Sequence, residues 1–232
     1  MTQRTRAGRG RSDPWQPVRP SVAGVPLPAA GSTRGPGQPR VIRGTIENLG
    51  AAVADDPEAD VLGGVRIESA VLASTRVLGG ELAGLHLRDI LVDQAVLAGI
   101  VIDGGGGTRV EITGGRISGA VWIRGEFHDV VLDGVRADDV TLRSCTLGRA
   151  RFSRCDLSRL DLTGSRLDHV RFEECDLTEA VFTDVTIRAA SFRGCRFDGA
   201  AGVAGLTNAE VDADSLLTLT GPMAAALGIS VV

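Results

Sequence analysis

The sequence predicts a solenoid, preceded by a polar tail and closed by a short helical cap. Three observations predict it. From Leu62 to Phe197 every fifth residue is bulky and apolar, with lapses only at Gly107 and Ala137. Helical side chains repeat every 3.6 residues and strand side chains every 2, so neither makes a beat of five. A sustained short period marks a coil in which each unit forms one side. The residue two places before each bulky one is usually small or medium and uncharged, as at Ala70, Ala95, Cys145, Ala150, Ser165, Val170 and Ala190. The other three positions of each five carry nearly all the charge. The interior is therefore lined by one large and one small side chain per unit.

Taken in order, residues 1–40 are rich in Arg, Pro and Gly, with Asp13 as their one acidic residue. They show no periodicity and read as a disordered tail. Its charge suits a nucleic acid or a membrane surface, and the plainer reading is a solvated tail. Residues 41–59 read as an N-terminal cap or lead-in strand: Val41, Ile42 and Ile46 offer apolar contacts, and Asp55–Glu58 reads as a turn. Residues 60–199 are the solenoid. Within it, Gly104–Gly107 is either an in-phase unit without a plug or a bulged loop, because five residues preserve the phase in both cases.

Residues 200–232 leave the beat. Asp214 and Ser215 are N-cap residues for a helix carrying Leu216, Leu217 and Leu219. Thr220–Gly221–Pro222 interrupts it, and Met223–Leu227 forms a second short helix that stops at Gly228. The open end of a solenoid must be covered. Leu216, Leu217, Leu219, Met223 and Leu227 either cap the last coil or pair with a second copy of the chain.

The units Cys155–Arg159, Cys175–Glu179 and Ala190–Gly194 resemble the pentapeptide-repeat family, whose consensus is small, Asp or Asn, Leu or Phe, small polar, then Gly. The resemblance covers residues 60–199, or 28 units, of which 26 hold the bulky residue in phase. It implies an all-β fold, a right-handed quadrilateral β-helix with four units per coil and seven coils. At about 4.8 Å per coil the rod would be roughly 34 Å long. Residues twenty apart then stack, so that Leu132, Phe152, Phe172 and Phe192 form one column. Ala137 lies three units from Trp122 and is expected to make room for it. Leu85, Ile90 and Ile100 replace the usual small residue, which implies a wider coil before Gly104. Several family members dimerise through C-terminal elements, so the resemblance implies a homodimer as one use of the cap.

No enzyme signature, metal site or cofactor site emerges. Cys145, Cys155, Cys175 and Cys195 all fall in the small inward column and read as buried apolar residues, without the local spacing of zinc ligands. His86, His128 and His169 share one side of the coil, about two coils apart. Ser165, Asp168 and His169 contain triad residue types, but Ser165 points inward and His169 outward. Asp138–Asp139 and Glu173–Glu174 read as solvated surface. The glycine run lacks the ending of a phosphate loop. All 25 basic residues are Arg, a bias that points to a GC-rich genome more than to a mechanism, and the aromatic content of 3% suits a narrow aliphatic interior. The longest apolar stretches are too short to span a bilayer, and no signal-peptide pattern is present. A cytoplasmic location without membrane attachment is the expectation.

Two function classes remain. The first is a non-enzymatic scaffold that binds a partner protein, not identified by the sequence, on one face of the rod. The resemblance adds an alternative of this kind, a duplex-DNA mimic acting on DNA gyrase or topoisomerase IV and giving inhibitor resistance. Such a mimic needs a strongly negative surface. Residues 60–199 hold 21 acidic residues against 17 Arg, a net of −4. The most acidic side contains Glu81, Asp103, Asp161 and Asp184, interrupted by Arg124 and Arg143. This face is the candidate interaction surface, and the rod itself is not expected to bind nucleic acid directly. The second class, a small-molecule binder or enzyme, needs a pocket. A filled solenoid offers none, except near Gly104–Gly107 or at the caps.

Overall fold

The computed structural model describes residues 13–21, 40–42, 45–46 and 65–230. Their strand segments pair in parallel, and residue n stacks on residue n + 20. Val65 lies on Leu85 and Leu85 on Gly105; further on, Glu126, Thr146, Arg166 and Thr186 stack in turn. Each coil therefore has four sides of five residues. The corners explain the beat. Asp89, Arg109, Asp129, Arg149 and His169 all have φ between 49° and 59°, as do most residues at five-residue intervals. Glycine enters this left-handed region freely, while other residues carry a cost of about 1–2 kcal/mol. Ala189 occupies a corner without a left-handed φ, and there the ladder slips, so that Asp168 pairs with Ala189.

The C-terminal half is filled as the two-column pattern requires. Phe152, Phe172 and Phe192 stack face to face with centroids 4.8 Å apart and planes within 7°. Leu162, Leu177, Phe182 and Phe197 are fully buried. Each such side chain contributes about 1.5–3 kcal/mol by leaving water.

The glycine run is an in-phase side of the coil. Leu85, His86 and Leu87 pair with Gly105, Gly106 and Gly107, and Gly106 pairs onward with Glu126. A Cβ on Gly105 would lie 2.2 Å from the Leu85 carbonyl oxygen, and one on Gly106 1.8 Å from that of Glu126. Backbone stacks directly on backbone there.

Around this run the interior departs from expectation. It is not filled: an apolar cavity of about 210 Å³ is lined by residues including Ile102, Trp122, Ala137 and Leu157. Ala137 was expected to give space to Trp122. The indole Nε1 donates to the Gly104 carbonyl at 3.0 Å and the ring packs edge-on against Phe127, 4.8 Å away. Trp122 and Ala137 both line the space that remains.

Both ends of the rod are met by other elements. Arg40–Ile42 pairs with Ala70–Leu72, and Thr45–Ile46 with Arg76–Val77. The rest of the lead-in at 41–59 lies outside the described residues. Beyond the bridge from Val181 to Ala201 come a 3-10 helix, Val203–Leu206, a short strand, Ala209–Val211, and a helix α1, Ala213–Ala226.

Two expectations for this end are corrected. There is one helix rather than two: it runs through Pro222, although an interior proline loses a backbone donor and crowds the preceding turn. Its N-cap is Asp212, not Asp214 or Ser215, and the Asp212 side chain accepts from the Ser215 N–H at 2.9 Å. Gly228, at φ 72°, closes the helix as expected.

Polar groups at the start of α1 cap the last coil. Asp212 Oδ2 accepts from the Gly194 N–H at 2.9 Å, Ser215 Oγ from Cys195 at 2.7 Å, and Thr218 Oγ1 from Phe197 at 3.1 Å. Of the five apolar candidates only Leu219 is buried. Leu216, Leu217, Met223 and Leu227 are 45%, 71%, 43% and 74% exposed.

Candidate functional site on the faces of the rod

The inward groups are placed for packing. All four cysteines are buried and free. The Cys145 thiol donates to the Trp122 carbonyl at 3.4 Å, and burial pushes its pKa up to about 11. Cys175 is also raised, by the thiols of Cys155 and Cys195 stacked on either side of it and by burial. Ser165 is fully buried and its hydroxyl donates to the Leu142 carbonyl at 2.6 Å. His169 lies outside the coil, with Nδ1 2.7 Å from Asp168. Ser165 and His169 are therefore not brought together. Among the described residues no group of acidic, His or Cys side chains is arranged to hold a metal, and no helix is long and apolar enough to cross a membrane.

On the acidic side the four candidates divide. Asp103 pairs with Arg124. Asp161 is gripped by Arg143 at 2.6–2.7 Å and accepts from the Thr163 N–H at 2.9 Å. Burial opposes its charge, but these hydrogen bonds prevail and its pKa is lowered. Glu81 and Asp184 are exposed, with no ion pair among the described residues. Pairing across adjacent coils recurs around the rod, as in Asp133 with Arg154, Asp139 with Arg159 and Asp176 with Arg196. Stacking at an interval of twenty puts carboxylate and guanidinium within reach, and the pairs dilute the negative field.

The most organised surface is one that charge counting did not single out. Residues 13–21, expected to be part of a disordered tail, lie along the side of the coil that carries His128 and His169. The Val18 N–H donates to Asp129 Oδ1 at 3.1 Å and the Ser21 N–H to Asp89 Oδ1 at 2.8 Å. Arg19 pairs with Glu111, its Nε donating at 3.0 Å. Trp15 packs edge-on against His169 at 5.1 Å and lies 5.2 Å from the Arg171 guanidinium, which also pairs with Asp13 at 3.2 Å. Pro17 and Pro20 are buried.

Beneath this strap Asp89, Glu111 and Asp129 are each less than a tenth exposed. Arg109 holds Asp89 through two bonds of 2.6–2.7 Å, and Arg149 holds Asp129 through two of 2.7–2.8 Å. Asp89 lies far below the usual carboxylate range, chiefly through Arg109 and against the effect of burial. For Asp129 burial works against the charge, yet Arg149 and the Val18 N–H outweigh it and the pKa is lowered.

The strap could be missed in sequence because it has no apolar periodicity. Its one signal is the prolines at positions 14, 17 and 20, three residues apart. The rest of residues 1–40, apart from Arg40, lies outside the described residues.

The class of protein follows from the five-residue beat, the stacking at intervals of twenty and the left-handed corners. Residues 124–201 match the family model described as a pentapeptide repeat region, and that stretch of the solenoid is a pentapeptide-repeat solenoid. Similar solved structures include a trypsin-treated form of QnrB1, described as a plasmid-mediated fluoroquinolone resistance protein. It is 14% identical, covers 83% of this chain and 99% of its own, and has a TM-score of 0.31. HetL, a pentapeptide repeat protein involved in heterocyst differentiation regulation in the cyanobacterium Nostoc sp. strain PCC 7120, is 18% identical over 78% of this chain and 90% of its own, with a TM-score of 0.33. Overlaps this loose transfer neither a partner nor a role. No curated relative matches the sequence.

Proposed function

We propose that the protein is a non-enzymatic interaction scaffold that binds a partner protein on one face of its rod. The observation that carries this reading is the face under the strap, where three buried carboxylates, two of them pre-oriented by Arg, hold a stretch of peptide chain. Buried charge is costly unless paired, and a surface that arranges it in this way is suited to an incoming polypeptide. The working groups are hydrogen-bond acceptors and cations held rigid by the coil, with no nucleophile beside a base among them. A DNA-like surface acting on gyrase is the weaker alternative, because two of its four candidate carboxylates already have Arg partners.

The test is affinity capture on the immobilised full-length chain, with quantitative mass spectrometry, beside a variant carrying Arg109→Glu and Arg149→Glu. The reading expects a stoichiometric partner that the variant loses. Identical retention by both proteins would refute the assignment of this face, and absence of any saturable protein partner would refute the scaffold reading.

A further inference from the structure

The face beneath the strap has a period, and so does the strap. Prolines recur every third residue at Pro14, Pro17 and Pro20. That is the repeat of a polyproline II helix, with three residues and about 9.3 Å per turn. The coils beneath repeat every 4.8 Å, so two coils span about 9.6 Å. The two periods agree, and the contacts follow them. Residue 15 meets the corner at 169, residue 18 the corner at 129 and residue 21 the corner at 89. Each step is three residues along the strap and forty along the rod.

The chemistry repeats with the geometry. Val18 and Ser21 each follow a buried proline, and each gives its N–H to an Asp. Residues 13–16 form a turn, in which the Gln16 N–H donates to the Asp13 carbonyl and the Trp15 N–H to Asp13 Oδ1, both at 3.0 Å. The stretch from Pro17 to Ser21 follows it, and because a polyproline II segment makes no internal hydrogen bonds its N–H groups are available for recognition. The intervening corners hold Arg109 and Arg149, which lock the two acceptors in place. Glu111 adds one side-chain selection by pairing with Arg19. The left-handed φ shared by these corners gives all of them the same backbone setting.

We infer that this corner column is a binding surface for proline-rich segments in the polyproline II conformation, and that residues 17–21, anchored by the turn at 13–16, occupy it in cis until a partner's segment displaces them. The inference rests on the scaffold reading and names the chemistry of the partner. The partner presents an unstructured stretch with two prolines three apart, a free N–H after each as at Val18 and Ser21, and an arginine between them. Sequence-specific pockets are few, so the surface reads spacing first. Proline suits the task because its fixed φ leaves little conformational entropy to lose on binding.

The probe is a fluorescent synthetic peptide of residues 13–21, titrated into the full-length protein by anisotropy. The tethered strap competes at an effective concentration on the order of millimolar, so wild type binds the peptide weakly. In the full-length Trp15→Ala, Arg19→Glu variant the strap is loosened, and affinity should rise by about tenfold or more. A second peptide, N-methylated at Val18 and Ser21, keeps the extended form but lacks both donors and should not bind. A third, with alanine at the three proline positions, should bind several-fold more weakly.

Three outcomes would overturn the inference. One is no binding of the first peptide to the loosened variant, whose fold is checked by its far-UV spectrum and melt. Another is equal binding of the N-methylated peptide. The last is a concentration-dependent dimer by light scattering that the strap variant abolishes, which would mean that the segment is exchanged between copies of this chain. A partner still captured in the affinity experiment while the peptides fail would remove the proline ruler and leave the scaffold standing.

Discussion

Gly106, at φ 148°, has no room for a side chain, since its Cβ would lie 1.8 Å from a backbone oxygen of the next coil. Gly104, two residues away at φ 84°, has nothing within 4 Å of the same position. Gly106→Ala must push two coils apart and should cost more than about 3 kcal/mol, while Gly104→Ala should cost about 1 kcal/mol of left-handed strain. Chemical denaturation of both variants measures the difference, and equal losses would contradict the flat stacking.

Asp89 and Asp129 make a second prediction at this scale. Their folded pKa values are depressed, so their contribution is fully present above the unfolded value of about 3.9 and is lost as pH falls through the lowered values. Glu111, Asp13, Asp168, His128, His169, Arg19, Arg109, Arg149 and Arg171 also face this column. The strap should stay docked between pH 7 and 5, judged by the NMR shift of the Trp15 indole, and leave only in stronger acid. Release at pH 6 would mean that the carboxylates do not hold it.

At the scale of elements, α1 is attached to the rod by polar groups more than by its leucines. Ser215 sits twenty residues after Cys195 and continues the inward column as a hydroxyl, just as Ser165 stands above Cys145. Ser215→Ala leaves the buried Cys195 N–H unpaired and should cost about 1–3 kcal/mol, whereas Leu217→Ala, at 71% exposure, should fall within about 0.5 kcal/mol of wild type. Thermal melts decide between this account and a hydrophobic cap. Deleting residues 213–232 removes the acceptors of the Cys195 and Phe197 N–H groups and leaves an open β edge, and light scattering should show aggregation or a changed mass. An unchanged mass and solubility would show that α1 does not close the rod.

For the whole molecule, the pairing of Arg and Asp across coils sets what the rod can present. Exposed pairs of this kind contribute about 0–1 kcal/mol each, so their main effect is on the field rather than on stability. The gyrase alternative requires that the full-length protein inhibit supercoiling, that reversing Glu81, Asp103, Asp161 and Asp184 to Arg abolish the effect, and that added salt weaken it. A supercoiling assay without inhibition retires it. The open interior gives an independent prediction. Ala137 is 2% exposed and lines the cavity, so Ala137→Leu should raise stability by about 0.5–2 kcal/mol. A fall in melting temperature would show that the space is smaller than it appears from its walls.

Residue order by itself determined the solenoid, its phase and its inward columns. A period of five is incompatible with any other regular element, and each unit is specified by its own two or three side chains. The burial of Leu162, Phe172 and the four cysteines was legible for that reason, as was the outward turn of His169. Tertiary structure alone decided the rest. The glycine run became a flat side because its neighbours' register passes through it, which a phase-preserving pattern cannot distinguish from a loop. The cavity depends on how Trp122 turns, and that is set by a carbonyl eighteen residues away. The strap was invisible for the same physical reason. Its partners Asp89 and Asp129 lie 68 and 111 residues from the amides they hold, and nothing local in a proline-rich tail specifies contacts that only the stacking of coils creates.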